Sequence, residues 1–147
     1  MPPRPVSEDE VRQGIVEVLK DIGCPDIRLN MRAKGAERCD IFSESWRIVC
    51  ETKKANEANP ASLSHRNPQN PKETQREQLQ RYMIYFRDQV FERLNFEGSE
   101  DAEQDWRGCL MDDRNAWFYT LSGAQGATEL VETHKCPIYP FSLGDIL

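Results

Sequence analysis

Three side chains between residues 40 and 53 have types and spacing that could hold a divalent cation and drive a hydrolysis. Asp40 lies in an alternating stretch, Arg38 to Ser43, and Glu51 follows directly on the apolar run Ile48-Val49-Cys50. Glu51 and Lys53 are two residues apart, so on a strand they point to the same face. The short link Glu44-Ser45 between the two stretches suits a hairpin, which lets acids on neighbouring strands converge. An Asp and a Glu side by side form a hard oxygen site of the kind Mg²⁺ prefers, with positions left for water and a phosphate oxygen. Mn²⁺ would substitute. A lysine on the same face orients or activates the attacking water and stabilises charge on the phosphate. Two acids and a lysine are the minimum set for metal-assisted phosphodiester hydrolysis. The bland alternative is a Glu-x-Lys ion pair on a strand surface. The buried run leading into Glu51 argues against it.

The elements that must position these groups can be read along the chain. Ser7-Glu8-Asp9-Glu10 opens a helix, with Ser7 as cap and Glu10 where a capping-box acid belongs. Val11, Ile15, Val18, Leu19 and Ile22 recur at helical spacing, and Gly23 and Pro25 end it. Asp26 to Arg32 alternates through Ile27, Leu29 and Met31 as a half-buried strand does, and Lys34-Gly35 is turn material. Arg38 to Ser43 and Trp46 to Thr52 read as the next two strands. Residues 55–71 are rich in Asn, Pro and Ser and read as a mobile loop. From Lys72 the pattern is helical, with an apolar stripe of Leu79, Met83, Phe86, Val90 and Leu94. Trp106 to Met111 and Ala116 to Leu121 read as two further strands about an Asp112-Asp113-Arg114-Asn115 turn. The order helix, three strands, helix, two strands predicts a mixed sheet with helices against it. The tail over 122–147 is poorly patterned and has no helix stop at Asp145-Ile146-Leu147, as in a fragment of a longer protein. There are no internal repeats.

Bulk properties narrow the class. The 147 residues suit a single domain, 1–147, and about 38% of them are hydrophobic, enough for a core. No apolar run reaches the roughly 20 residues of a membrane helix, and Met1-Pro2-Pro3-Arg4-Pro5 is not a secretory signal; the reading is cytoplasmic, with no membrane partner. None of Cys24, Cys39, Cys50, Cys109 and Cys136 stands in C-x-x-C spacing, so they read as buried reduced thiols. The net charge of −6 is unevenly spread: residues 27–81 carry 11 basic and 7 acidic side chains, and both flanks are acidic. The basic third contains the candidate site, and a local basic surface is what phosphate binding needs. Trp46, Trp106 and Trp117 read as packing residues, and His65 as an exposed loop histidine.

The ordered set of motifs resembles the PD-(D/E)XK nuclease superfamily. Asp40 and then Glu51-Thr52-Lys53 after an apolar strand match its D…ExK signature, with Cys39 where the name has a proline. Gln78-Leu79-Gln80-Arg81-Tyr82 is similar to the Q-h-x-x-Y motif on the following helix. Glu8-Asp9-Glu10-Val11-Arg12-Gln13 resembles the E-E-x-V-R-Q stretch opening the N-terminal nuclease domain of type I restriction R subunits and related restriction–methylation fusions. Asp113 to Tyr119 is similar to the D-G-x-x-W-x-Y strand closing such domains. The motifs cover residues 7–121. The resemblance implies an α/β (α+β sandwich) fold with a restriction-endonuclease-like αβββαβ core. It implies Asp40 and Glu51 as Mg²⁺ ligands, with the Thr52 carbonyl as a third, and Lys53 positioning the water. It places Gln78 and Tyr82 against the site or the DNA backbone. Arg38 is a cation that can meet a phosphate, and Lys54 is either a neighbouring phosphate contact or a solvated lysine. Glu8 becomes the first-helix acid, with Glu10 as the alternative. The implied partners are duplex DNA and further helicase or methyltransferase domains or subunits of a defence protein. Rival readings are a catalytically silent nucleic-acid-binding or protein-interaction module on the same fold, and a structural interaction domain.

Overall fold

The computed structural model describes residues 7–33, 37–54 and 56–137, with side chains as far as His134. Lys34, Gly35, Ala55 and the end of the tail lie outside the described residues, as does the side chain of Cys136. Helix α1 spans Glu8–Asp21. The Ser7 hydroxyl accepts from the Glu10 amide at 3.2 Å, and Glu8, Asp9 and Glu10 in the first turn complement the helix dipole. Val11, Ile15, Val16 and Leu19 are its buried stripe. Gly23 at φ +95 turns the chain away, in a region that favours glycine.

Strands β1 (Arg28–Arg32), β2 (Arg38–Ser43) and β3 (Ile48–Thr52) follow as an antiparallel meander. Helix α2 (Gln75–Phe96) then returns the chain, so that β4 (Trp106–Met111) pairs parallel with β3. Strands β5 (Asn115–Leu121) and β6 (Leu130–Pro137) complete a mixed six-stranded sheet in the order β1-β2-β3-β4-β5-β6. This is the expected α/β class.

Side-chain alternation on the central strands gives the sheet two apolar faces. Phe42, Val49, Leu110, Trp117 and Tyr119 meet Leu79, Met83, Phe86 and Val90 of α2. Ile41, Ile48, Cys50, Cys109, Met111 and Phe118 meet Val11, Ile15 and Leu19 of α1. The contact of α2 is close at Gly108 of β4, where a Cβ would stand 2.4 Å from Met83 Sδ. Trp106 and Trp117 are core residues, Trp46 is partly buried, and Cys24, Cys39, Cys50 and Cys109 are buried free thiols.

Four features differ from the sequence reading. Strand β3 begins at Ile48 because Arg47, at φ +53, still belongs to the turn. Helix α2 begins at Gln75 because Thr74 and Glu77 form a reciprocal capping box. Strand β1 is an edge strand, so Leu29 is 45% exposed where the alternation predicts burial. The tail contributes β6, a second edge strand with Leu130 buried and Val131 exposed. Among the described residues no helix is long and apolar enough to cross a membrane.

Candidate active site

The site forms where β2 and β3 stop pairing through their backbones. Their register runs from Ser43↔Ile48 to Ile41↔Cys50. One step further, side chains take over the ladder. The Asp40 amide donates to Glu51 Oε1 at 3.2 Å. The Thr52 amide and hydroxyl both donate to Asp40 Oδ2, at 2.8 and 3.1 Å. Each carboxylate therefore fastens the other's strand, and the two expected metal ligands sit side by side. On its other flank Asp40 faces Asn30, whose φ of +52 interrupts the β1–β2 pairing between Leu29↔Ile41 and Met31↔Cys39.

Lys53 follows directly on β3. Its amide donates to the Met111 carbonyl at 2.9 Å, extending the parallel ladder by one residue. Its side chain is buried, and Nζ donates to Gln78 Oε1 at 3.3 Å. Gln78 Nε2 in turn donates to Tyr82 OH at 3.1 Å. Gln78 is 1% exposed, with its side chain turned inward to Lys53. It holds the lysine. Tyr82 is also buried but borders the cleft described below. The hairpin turn between β4 and β5 steadies the chain after Lys53: Asp112 Oδ2 accepts from the Ala58 amide at 3.1 Å and Asp113 Oδ1 from the Asn56 amide at 3.3 Å. Lys54 and Arg38 are exposed.

The N-terminus of α1 delivers the third acid. Glu8 is half-buried, and its carboxyl is raised above the ordinary range by burial first and by Asp40 second. Arg66, Lys53 and Arg12 pull it the other way. Arg66 lies 4.0 Å from Glu8. Glu10 is exposed and bonded to the Ser7 cap at 3.4 Å, so Glu8 is the helix acid whose charge reaches the site. Glu51 is 4% exposed. Burial, and then Asp40, push its carboxyl well above the ordinary range against the pull of Lys53 and Arg66. Among the described residues no carboxylate comes within the 4.0 Å salt-bridge distance of Lys53. Three acids thus stand near one lysine that neutralises none of them by contact.

The site opens on a cleft of about 720 Å³ lined by Asp40, Arg38, Arg66, Arg81, Tyr82 and Asn67, among others. A depression of about 730 Å³ near Trp46 and Arg107 matches it in volume. Volume alone does not single out the site; the concentration of charge does.

The donor set fits a magnesium-sized ion. Among the described residues no three His, Cys, Asp or Glu side chains form a cage, but Mg²⁺ uses one or two carboxylates and keeps its waters. Two adjacent carboxylates, Asp40 partly buried and Glu51 buried and raised well above its ordinary range by that burial and by Asp40, are that kind of donor pair. Sequence reasoning missed Asn30 and the part played by the Thr52 amide and hydroxyl. Thr52 enters through its amide and hydroxyl as the clamp on Asp40, and Asn30 borders the cleft from the edge strand. Arg66 carries its charge into the site from the connection between β3 and α2. Only the T in E-T-K was visible in a motif, and its hydroxyl had no predicted role.

No family model matches the chain, and no curated protein or solved structure matches it.

Proposed function

We propose that this chain is a Mg²⁺-dependent nuclease domain that hydrolyses phosphodiester bonds of duplex DNA, the cutting module of a cytoplasmic restriction or phage-defence protein. The observation that carries the reading is the pair Asp40 and Glu51 on adjacent strands, with Lys53 buried beside them and held off from an ion pair. The order α1-β1-β2-β3-α2-β4 supports it, because it is the αβββαβ order that the D…ExK resemblance implies.

A bound Mg²⁺ would supply Lewis-acid stabilisation of the phosphate and a more acidic water. Asp40, Glu51 and the Thr52 carbonyl would hold it, and Glu8 would complete the negative rim. The residues of the chain do the rest. Thr52 keeps Asp40 in one rotamer by two hydrogen bonds, which is the preorganisation that catalysis requires. Tyr82 and Gln78 hold the Lys53 amine in one position. From there Lys53 orients the attacking water and meets the charge that grows on the phosphate oxygens. Water loses a proton and bonds to phosphorus, the bridging P–O bond breaks, and the leaving oxygen takes up a proton. Arg38 and Lys54 grip flanking phosphates and add affinity without sequence information.

The test is nicking of supercoiled plasmid by the full chain at high concentration in Mn²⁺. Lys53→Ala should lower the rate about 10²–10³-fold, because transition-state charge depends on one placed group. DNA affinity should fall only modestly, since Arg28, Arg32, Arg38 and Lys54 remain, as does Lys34 in sequence. Equal nicking by both proteins would place the activity elsewhere. DNA bound but uncut by the wild type would identify a silent binding module.

A further inference from the structure

On this nuclease reading, we propose that Arg66 is a phosphate-binding residue of the same site, held on Glu8 in the free protein and transferred to a DNA phosphate when metal and substrate enter. Of the three guanidinium groups lining the cleft, each has a different commitment. Arg81 is locked between Glu73 and Glu37. Arg38 donates to the Asn30 carbonyl at 3.3 Å. Arg66 instead leans on an acid of the site itself, at 4.0 Å, with its side chain 57% exposed and that of Glu8 26% exposed. A single loose contact between partly exposed partners is worth little, so exchanging it for a phosphate costs little.

The backbone aims this residue. Leu63 bridges Thr74, and the Ser64 amide donates to the Glu73 carbonyl at 2.9 Å, so the chain leading into Arg66 is tied to the residues that open α2. His65 at φ +58 bends the chain immediately before Arg66, a conformation that is uncommon outside glycine and is retained where the surroundings impose it. The Arg66 amide then bonds Ser64 Oγ at 3.4 Å. The charge of Arg66 is felt by Glu51 as well as Glu8, so it lies within electrostatic reach of the metal ligands. It is a stand-in cation. A divalent ion between Asp40 and Glu51 supplies the positive charge that Arg66 now supplies, and its arrival weakens the hold of Glu8 on the guanidinium. An arginine released beside an incoming phosphate can take it through two parallel N–H···O bonds.

The experiment pairs two affinities that the proposal moves in opposite directions. Binding of a short duplex oligonucleotide is followed by fluorescence anisotropy in Ca²⁺ and in EDTA, and Mn²⁺ binding to the free chain by titration calorimetry. Arg66→Ala should lower duplex affinity roughly tenfold in Ca²⁺ and reduce the salt slope by about 1. The same change should raise Mn²⁺ affinity about threefold, because a competing cation has gone. A misfolded variant would lose both. Glu8→Gln should strengthen duplex binding in EDTA, and that gain should vanish in the Arg66→Ala background. An equal gain in both backgrounds would overturn the exchange. If Arg66→Ala leaves duplex affinity and salt slope unchanged while Asp40→Ala abolishes Mn²⁺ binding, the Arg66 proposal is wrong and the nuclease reading stands. If Asp40→Ala leaves Mn²⁺ binding intact, the metal site is misplaced and both fall.

Discussion

Two charged clusters touch the first half of α2, and they handle their charge in opposite ways. At the Arg81 cluster one guanidinium meets two carboxylates. Its Nε and Nη2 donate to Glu73 at 2.8 Å, and Nη2 donates to Glu37, also at 2.8 Å. The Glu73 hydrogen bonds, ahead of the opposing effect of burial, raise the guanidinium above its ordinary range, so every charge has a partner. Less than one turn earlier on the same helix, Gln78 offers only an amide to Lys53, and Asp40, Glu51 and Glu8 crowd together without a contacting cation from β3 or α2. The fold can build a saturated ion cluster here and does so once. Its failure to build a second one three residues away is a local choice of residue, Gln78 in place of a second cation. Strained and uncompensated sites of this kind cost stability and are retained where they do chemistry.

The comparison yields predictions on stability. The largest effect is at Arg81. Arg81→Ala strands Glu73, whose side chain is 5% exposed, beside Glu37. Losing one partner of a buried ion cluster costs about 3–5 kcal/mol; with the Arg81 side chain 30% exposed, about 2–3 kcal/mol is expected. Urea unfolding would measure it. A loss below roughly 0.5 kcal/mol would mean that the cluster is no more than a solvated surface network.

At Glu51 the sign reverses. Burial and Asp40 hold its carboxyl well above the ordinary range. Between the unfolded and folded pKa the native state binds the proton more tightly than the unfolded chain does, so stability falls as pH rises through that window. Glu51→Gln removes this penalty. In EDTA at pH 8 the variant should melt roughly 2–6 °C above wild type, and the gap should close toward pH 4. Mg²⁺ should raise the melting temperature of wild type and leave the variant where it is. A variant less stable than wild type in EDTA would show that the Glu51 charge is compensated after all.

The smallest effect is at Arg93, whose ion pair with Glu44 has side chains 50% and 28% exposed. Arg93→Ala should change stability by no more than about 0.5 kcal/mol, which calibrates the other two under the same urea conditions.

Much of this arrangement was legible in the sequence. Helical spacing in α1 and α2, and apolar runs in β3, β4 and β5, are direct images of burial on a two-faced sheet. The adjacency of Asp40 and Glu51 follows from a hairpin and a period of two. What stayed hidden depends on position within the sheet. Strand β1 is an edge, so Leu29 lies exposed where alternation implies a buried face, and β6, the other edge, offers little apolar pattern to read. The start of α2 was written in Thr74-Gln75-Arg76-Glu77, but Lys72 and Glu73 are also good helix formers and blur it. Between β3 and α2 the chain is held by particular bonds, such as Gln75 Nε2 to the Glu57 carbonyl at 2.9 Å and Gln75 Oε1 from the Asn59 amide at 3.0 Å. Polar side chains that bond backbone across 16 or 18 residues leave no periodic trace, and the reach of Arg66 into the site was hidden for the same reason.

The central claim is that the uncompensated acids are a seat for a divalent cation. Titration calorimetry of Mn²⁺ into the full chain, wild type and Asp40→Ala, tests it most directly. Wild type should bind one ion, and Asp40→Ala should weaken binding by roughly 100-fold, because one of two carboxylate ligands is gone and the Thr52 amide and hydroxyl lose their acceptor. Unchanged Mn²⁺ affinity in Asp40→Ala, with the fold retained by circular dichroism, would contradict the account.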